Sequence, residues 1–250
     1  MRFAKTQQVA NHYDMTGARS VKAETAGQSL VGVIASSGDL NRAARLRRPP
    51  DLFELRLDAL HPLEPAAAVA IATLPRPFII TARHPWEGGC NNLPAAERRR
   101  LFLDFLPQAA SVDVELRSVA SFRSILDQAR EQGKKRILSF HDLRQTPSAR
   151  VLDSVAHRAQ VLSADILKIA TRTDTPNDLA RLLTFFARWE NEIPLSVMGI
   201  GKLGRESRVA LLRRGSVLNY VHLGAARIAG QLSLAQARRE IETARRVSFS

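Results

Sequence analysis

Several scarcities limit what this chain can be. Cys90 is the single cysteine among 250 residues, so an internal disulfide is excluded and a reducing compartment fits. No run reaches the roughly 18 unbroken apolar residues of a membrane-spanning helix, and residues 1–20 lack the apolar core of a secretory signal. We therefore expect a cytoplasmic protein without a membrane partner, with a basic organelle-transit segment as the alternative.

Aromatic residues are also few, at 6%, although 37 Lys+Arg against 24 Asp+Glu give a net charge of +13. Proteins that bind single-stranded nucleic acid usually combine basic and aromatic side chains. Here the arginines are spread along helical segments, so no nucleic-acid partner is expected. A positive field that attracts a small anionic substrate would explain the charge, and so would a compositional preference for arginine.

The chain has a regular alternation of strand-like and helix-like segments after residue 28. Residues 1–28 are polar and aperiodic and are predicted to form an N-terminal arm, and residues 29–250 to form one domain. The predicted strands are 29–36, 52–58, 77–83, 111–117, 135–141, 164–170, 193–199 and 216–223, and the predicted helices are 94–106, 119–132, 149–160, 175–188, 203–214 and 233–246. This order predicts parallel strands, and eight repeats predict a single-domain α/β fold, the (β/α)8 TIM barrel. An open doubly wound sheet is the alternative, but no G-x-G-x-x-G follows the first strand.

Two of the predicted strands carry charged residues on one face. The residues expected to face the helices are apolar: Phe53, Leu55, Leu57, Val112, Val114 and Leu116. The residues expected to face the barrel axis are Glu54, Arg56 and Asp58 from the second strand, and Asp113, Glu115 and Arg117 from the fourth. Buried charges are costly unless they are paired or used. The pattern therefore predicts either an ion-pair network that fills the core or an active site.

Two residues on neighbouring strands can perform chemistry. Lys168 shares a strand face with the apolar Ile166 and Ala170, where desolvation favours a nucleophilic amine that can form an imine with a ketone. His141 ends the preceding strand on the face of Ser139, from where it could transfer a proton across the barrel mouth. Alone, a histidine at a strand end is more often structural and a strand lysine often extends to solvent, but the positions of the two residues on adjacent strands favour a catalytic pair.

The loops add further candidates. Arg83 ends the third strand, and Glu87 in the next loop could bind the His141 ring and fix its tautomer. Arg208, near the start of the helix after the seventh strand, could form a bidentate pair with a substrate carboxylate. The alternatives are a solvated loop charge for Glu87 and a surface position for Arg208. No His/Cys/carboxylate cluster has metal-ligand spacing, so no metal ligand is predicted.

Together these segments resemble one family, the type I 3-dehydroquinate dehydratases, from about residue 29 to 235. The resemblance rests on "ELRLD", "TARHPWEGG", "VDVEL", "ILSFHDLRQTPS", "ADILKIA", "MGIGKLGRESR", "GSVLNY" and "AGQLSL", in this order. It implies a homodimeric lyase of the shikimate pathway and aromatic amino acid biosynthesis. The enzyme would convert 3-dehydroquinate, a small anionic cyclic substrate, to 3-dehydroshikimate without a cofactor.

The resemblance also implies roles for individual residues. Lys168 would form the imine, and His141 would remove the α-proton and then protonate the leaving hydroxyl. Glu87 would orient His141. The substrate-binding residues that it implies are Glu54, Arg56, Arg83, Arg208 and Gln231.

One loop departs from the family. "RIAGQ" stands where the family usually has Ser-Ala-Pro-Gly-Gln, so Arg227 replaces the serine and Ala229 the proline. Arg227 is assigned to the substrate-binding set as a second cation for the carboxylate, but it could equally block the site or select another ring acid. Two hypotheses follow: an active dehydratase, or a divergent member with lost or altered activity that serves as a binding or regulatory protein.

Overall fold

The computed structural model describes residues 27–63 and 65–247. The described residues form eight strands in one sheet, in the order β7-β6-β5-β4-β3-β2-β1-β8, and every hydrogen-bonded pair is parallel. The strands are β1 Ser29–Ile34, β2 Leu52–Arg56, β3 Phe78–Thr81, β4 Ser111–Glu115, β5 Lys135–Asp142, β6 Ile166–Arg172, β7 Leu195–Ile200 and β8 Leu218–His222. The predicted arm lies almost wholly outside the described residues, so that domain boundary stays a prediction.

Helices connect successive strands in the described part of the chain. They are α1 Ser37–Arg45, α2 Leu57–Leu60, α3 Pro65–Ala72, α4 Ala95–Phe105, α5 Arg123–Glu131, α6 Ala149–Val161, α7 Pro176–Trp189, α8 Gly204–Arg213 and α9 Leu234–Val247. The start of α7 shows why they begin where they do. Thr175 accepts a hydrogen bond from the Asp178 amide, Asp178 bonds back to the Thr175 amide, and Pro176 occupies the first turn. None of these helices is long and apolar enough to cross a membrane.

The sheet curves into a nearly closed barrel. The two end strands, β7 and β8, approach each other through the Val217 amide, which donates to the Leu195 carbonyl at 2.8 Å. The Ser196 hydroxyl adds a bond to the Leu218 carbonyl at 2.7 Å. The predicted (β/α)8 barrel is therefore confirmed, and the open sheet is excluded.

The barrel wall separates two apolar regions. Outward-facing strand residues such as Phe53, Leu55 and Val114 are fully buried against the helices. Inside the barrel, a smaller cluster comprises Val31, Ile79, Ile137, Ile166, Leu218 and neighbours. Along β5 and β6 these apolar residues come first, and polar side chains follow toward the C-terminal strand ends. The polar groups therefore gather at the barrel mouth, where active sites of this fold lie.

Two orientation predictions are wrong. The second and fourth strands were expected to continue through Asp58 and Arg117, but β2 ends at Arg56 and β4 at Glu115. Asp58 lies in the short helix α2 and binds loop amides. Arg117 lies in a 3-10 turn and is partly exposed, rather than inside the barrel. Strand alternation fails at these positions because the backbone has already left the sheet.

Candidate active site

Lys168 lies on β6 at the barrel axis and is 4% exposed. Its Nζ donates to Oε1 of Glu54 at 2.9 Å and to Oδ2 of Asp113 at 2.8 Å. The ring of Tyr220, from β8, lies with its centroid 3.7 Å from the same nitrogen. Two carboxylates and an aromatic face therefore fix the amine, because each of them attracts a cation.

Arg83 links Asp113 to a further buried carboxylate, Glu115. Its guanidinium makes two bonds to Asp113, at 3.1 and 2.8 Å, and one each to Glu115 and the Ser139 hydroxyl. Burial alone would lower the pKa of Arg83, but the two carboxylates outweigh it and raise that pKa. Burial would likewise raise the pKa of Asp113, but Arg83 and Lys168 hold it well below its usual value. The predicted ion-pair network and the predicted site are thus one structure.

Arg98 completes this network from α4. Its guanidinium donates to Glu115 and to the Ala82 carbonyl, both at 2.6 Å, and the side chain is almost fully buried. Ser118 donates a further bond to Glu115 at 2.8 Å. From the sequence, Arg98 counts only among the arginines that are spread along helical segments, so this role is missed. Its one signal is the position beside Leu101 and Phe102 on the buried helix face.

His141 and Glu87 form a close pair at the mouth. Oε2 of Glu87 accepts a bond from the His141 amide at 3.0 Å and lies 2.9 Å from Nδ1 of the ring. Burial raises the pKa of Glu87 to about 7. Burial, helped by the positive charges of Arg83 and Lys168, lowers the pKa of His141 well below its usual value. With Glu87 ionised, Nδ1 carries the proton and Nε2 is left as a free base.

Arg56 serves the rim of the site. It makes two bonds to Asp58, at 3.1 and 2.8 Å, and one to the Gly88 carbonyl at 3.0 Å. Burial would raise the pKa of Asp58, but Arg56 and two loop amides lower it. Arg56 therefore ties the end of β2 to the loop that carries Glu87.

Arg208 is buried, contrary to the surface alternative. Its Nε donates to the Gly199 carbonyl at 3.1 Å and its NH1 to the Tyr220 carbonyl at 3.2 Å. Burial lowers the pKa of Arg208 to about 10, so it stays charged at neutral pH. No carboxylate of residues 27–63 and 65–247 pairs with it. A buried cation balanced only by carbonyl oxygens favours an anionic ligand.

Arg227 and Gln231 lie in the loop after β8. The Arg227 amide donates to the Gln231 side chain at 3.4 Å. The Arg227 guanidinium donates to Asp39 of α1 at 2.9 Å, and its side chain is 49% exposed. Asp39 also accepts bonds from the Ser36 hydroxyl and the Ala35 amide. The loop after β8 and the start of α1, which follow neighbouring strands, are thus joined at the barrel mouth.

Comparison with known proteins assigns this chain to a family. Residues 33–245 match the model of the family described as Type I 3-dehydroquinase. The chain belongs to the type I 3-dehydroquinase family. It is therefore a 3-dehydroquinate dehydratase of the shikimate pathway, a hydro-lyase.

Relatives of known name agree. The 3-dehydroquinate dehydratase of Pyrococcus abyssi is 30% identical over 189 residues, which are 75% of this chain and 85% of that protein. A bifunctional 3-dehydroquinate dehydratase/shikimate dehydrogenase of Arabidopsis thaliana is 32% identical over 182 residues, 71% of this chain but only 30% of the plant protein. The crystal structure of 3-dehydroquinate dehydratase from Geobacillus kaustophilus superposes with a TM-score of 0.80 at 24% identity, covering 88% of this chain and 92% of that one.

The structure brings most of the predicted type I dehydroquinase residues to one end of the barrel. Lys168, Glu54 and Arg83 share one ion-pair network, and Glu87 contacts His141. Arg56, Arg208 and Gln231 are not bonded directly to any of them in the described part of the chain.

Tyr220 was missed as an individual residue. Its hydroxyl is buried and has no hydrogen-bond partner among the described residues. Burial, together with Glu54 and Asp113, raises the pKa of this hydroxyl well above its usual value. The signal was available, since Tyr220 shares a β8 face with Leu218 and that face points into the barrel.

Proposed function

We propose that this dehydratase acts through a Schiff base on Lys168. The observation that carries the proposal is the buried Lys168 amine, which lies at the barrel axis with His141 on the adjacent strand. In the register of β5 and β6, Lys168 pairs with Ser139 and His141 pairs with Ala170. The amine would attack the ketone of 3-dehydroquinate, and loss of water from the adduct would give an iminium. The proton that the ammonium sheds first can go to Glu54, because Asp113 is already occupied by Arg83.

His141 would then act as general base and acid. Its Nε2 would take the α-proton, while Glu87 compensates the imidazolium through Nδ1–H. The same nitrogen would return the proton to the leaving hydroxyl, so that water departs and the ring gains a carbon–carbon double bond. Hydrolysis of the imine would release 3-dehydroshikimate and restore Lys168. The sequence needs no oxidant or reductant, so we propose no cofactor.

Substrate binding would divide between two sides of the mouth. Arg208 and Gln231 would hold the carboxylate, and the buried unpaired charge of Arg208 supports this role. Glu54 and Arg56 would hold ring hydroxyls. Arg83 would maintain the charge balance, since both terminal nitrogens of its guanidinium already donate to Asp113, Glu115 or Ser139.

Trapping with borohydride tests the imine. The protein is incubated with 3-dehydroquinate and sodium borohydride, digested and analysed by mass spectrometry. A reduced adduct is expected on the peptide that contains Lys168. Lys168→Met should abolish trapping, whereas Lys202→Met, which removes an exposed lysine after β7, should not. An adduct on another lysine, or turnover without any adduct, would reject the proposal.

The second candidate is a divergent member that binds a ring acid without dehydrating it. Arg227 is the residue that favours it, because the family usually has serine there. In the free protein Arg227 is paired with Asp39, which is not the arrangement expected of a plug lying on Lys168. Turnover of 3-dehydroquinate decides between the two. We extend the main proposal to a cytoplasmic location and a homodimer. Light scattering of the purified protein would test the homodimer by measuring its mass.

A further inference from the structure

Arg117, which the sequence analysis placed inside the barrel, contacts the outer side of Glu87. Both His141 contacts of Glu87 use Oε2. The other oxygen, Oε1, lies 3.6 Å from Nε of Arg117. The Glu87 side chain is 6% exposed, whereas that of Arg117 is 42% exposed. The carboxylate is thus buried between a histidine on its inner side and a cation on its solvent side.

Trp86 keeps Arg117 at this position. The guanidinium carbon lies 5.1 Å from the centroid of the Trp86 ring, a distance typical of cation–π contact. Trp86 is 80% exposed, and it is the residue before Glu87 in the same 3-10 turn. Here it holds the cation beside the carboxylate.

Among the other charged groups around Glu87, Arg83 also favours its ionised form, but Arg83 is shared with the barrel network. Arg83, at the end of β3, is bonded to Asp113 and Glu115. Glu115, from β4, is itself negative and repels Glu87. His141, from β5, is neutral at neutral pH because its pKa is lowered. Burial, which raises the pKa of Glu87 to about 7, is therefore opposed by Arg83 from within the barrel and by Arg117 from outside.

We propose that Arg117 is a positioning residue that keeps Glu87 ionised, so that Glu87 holds the His141 tautomer with Nε2 free. The inference rests on the proposed role of His141 as the base. It makes the catalytic pair a three-membered chain, Arg117–Glu87–His141, that begins at the surface. Protonated Glu87 would no longer require the proton on Nδ1, so activity should rise with pH as Glu87 ionises.

The test is the pH profile of kcat/KM for wild type and Arg117→Gln. Loss of the cation should move the midpoint of the acid limb, expected near pH 7, upward by about 0.2–0.7 pH, the range for a partly exposed ion pair. At pH 6 the activity should fall by roughly 1.6- to 5-fold, while near pH 9 the two profiles should converge. Arg117→Lys should restore the profile. Arg123→Gln, which removes a cation from an exposed pair on the next helix, should leave it unchanged.

Trp86→Leu gives a second reading. Without the ring, Arg117 is less confined, so the midpoint should move in the same direction but less far. An Arg117→Gln profile that superimposes on wild type, or that falls equally at every pH, would overturn the inference, because a structural role would not move the midpoint. His141→Ala is measured alongside: if that variant keeps full activity, the proposed function fails rather than this inference alone.

Discussion

The guanidinium of Arg227 is bonded to the carboxylate of Asp39, 188 positions away in the sequence, at 2.9 Å. An arginine that stands in the place of the usual family serine is therefore held by an internal carboxylate. A substrate carboxylate has the same chemistry and would compete with Asp39 for it.

Arg227→Ser is expected to raise KM for 3-dehydroquinate, because the loop loses a charged contact while Ala229 leaves it less restrained than proline would. Adding Ala229→Pro should recover KM. The wild-type KM should also rise with ionic strength, since a half-exposed cation is screened by salt. Steady-state kinetics measures all three. Activity that first appears in Arg227→Ser would instead identify Arg227 as a plug.

Asp39→Asn should lower KM with little effect on kcat, because the amide keeps the bonds at the start of α1 but no longer competes as an anion. Ser36→Ala is the matched control, since it weakens the same helix start without touching Arg227. An increase of KM in Asp39→Asn would mean that Asp39 positions Arg227 for the substrate instead of competing with it.

His141→Ala should still form the imine but turn over about 10²–10⁴-fold more slowly, which is the usual contribution of a general base or acid. Borohydride trapping follows the first step and product absorbance the second, so the two can be separated. A kcat close to that of wild type would assign proton transfer to another group.

Tyr220 separates the effect of a ring from that of a hydroxyl. Tyr220→Phe keeps the aromatic face beside Lys168 and removes a buried hydroxyl without a partner, so activity should persist and stability should not fall. Tyr220→Leu also removes the face that would stabilise the cationic iminium, so the rate of trapping at Lys168 should drop by roughly 2- to 30-fold, equivalent to a cation–π contact of about 0.5–2 kcal/mol. Equal trapping rates in the two variants would show that the aromatic ring does not contribute to imine formation at Lys168.

Arg98→Met should lower the free energy of unfolding by about 3–5 kcal/mol, because it leaves the buried Glu115 without one of its cations. Arg100→Met, on the same helix, breaks only an exposed pair with Glu97 and should have no measurable effect. Urea titrations of both variants give the comparison. A loss confined to activity would show that the network serves catalysis more than folding.

The sequence predicted the architecture well where strands were regular. Alternation from Phe53 to Arg56 assigned Glu54 to the inside correctly, and Lys168 was placed correctly because β6 is straight throughout. The prediction failed at Asp58 and Arg117, because polar and apolar residues still alternate in the sequence there although the strands have already ended. The helices α1 and α3 were missed because one has few apolar residues and the other is apolar on every side.

The site was only partly predictable for a different reason. Contacts such as Glu87 to His141 followed from loop order and from family resemblance. The bond between Arg227 and Asp39 joins residues that follow the last and the first strands, 188 positions apart in the sequence, and has no local signature. In the sequence Arg98 resembles its neighbours Arg99 and Arg100, but in the structure it is buried on the face of α4 that carries Leu101 and Phe102.

The loop after β8 rests backbone to backbone on the start of α8. A Cβ added at Gly230 would lie 2.5 Å from the carbonyl carbon of Gly204, and one added at Gly204 would lie 2.8 Å from the Ala229 carbonyl oxygen. Gly230 also has a φ of 87°, which favours glycine. The base of the loop therefore tolerates almost no variation, while Arg227 at its tip faces solvent and α1. Selection could thus exchange residues at the tip of this loop while Gln231, the proposed ligand of the substrate carboxylate, stayed in place.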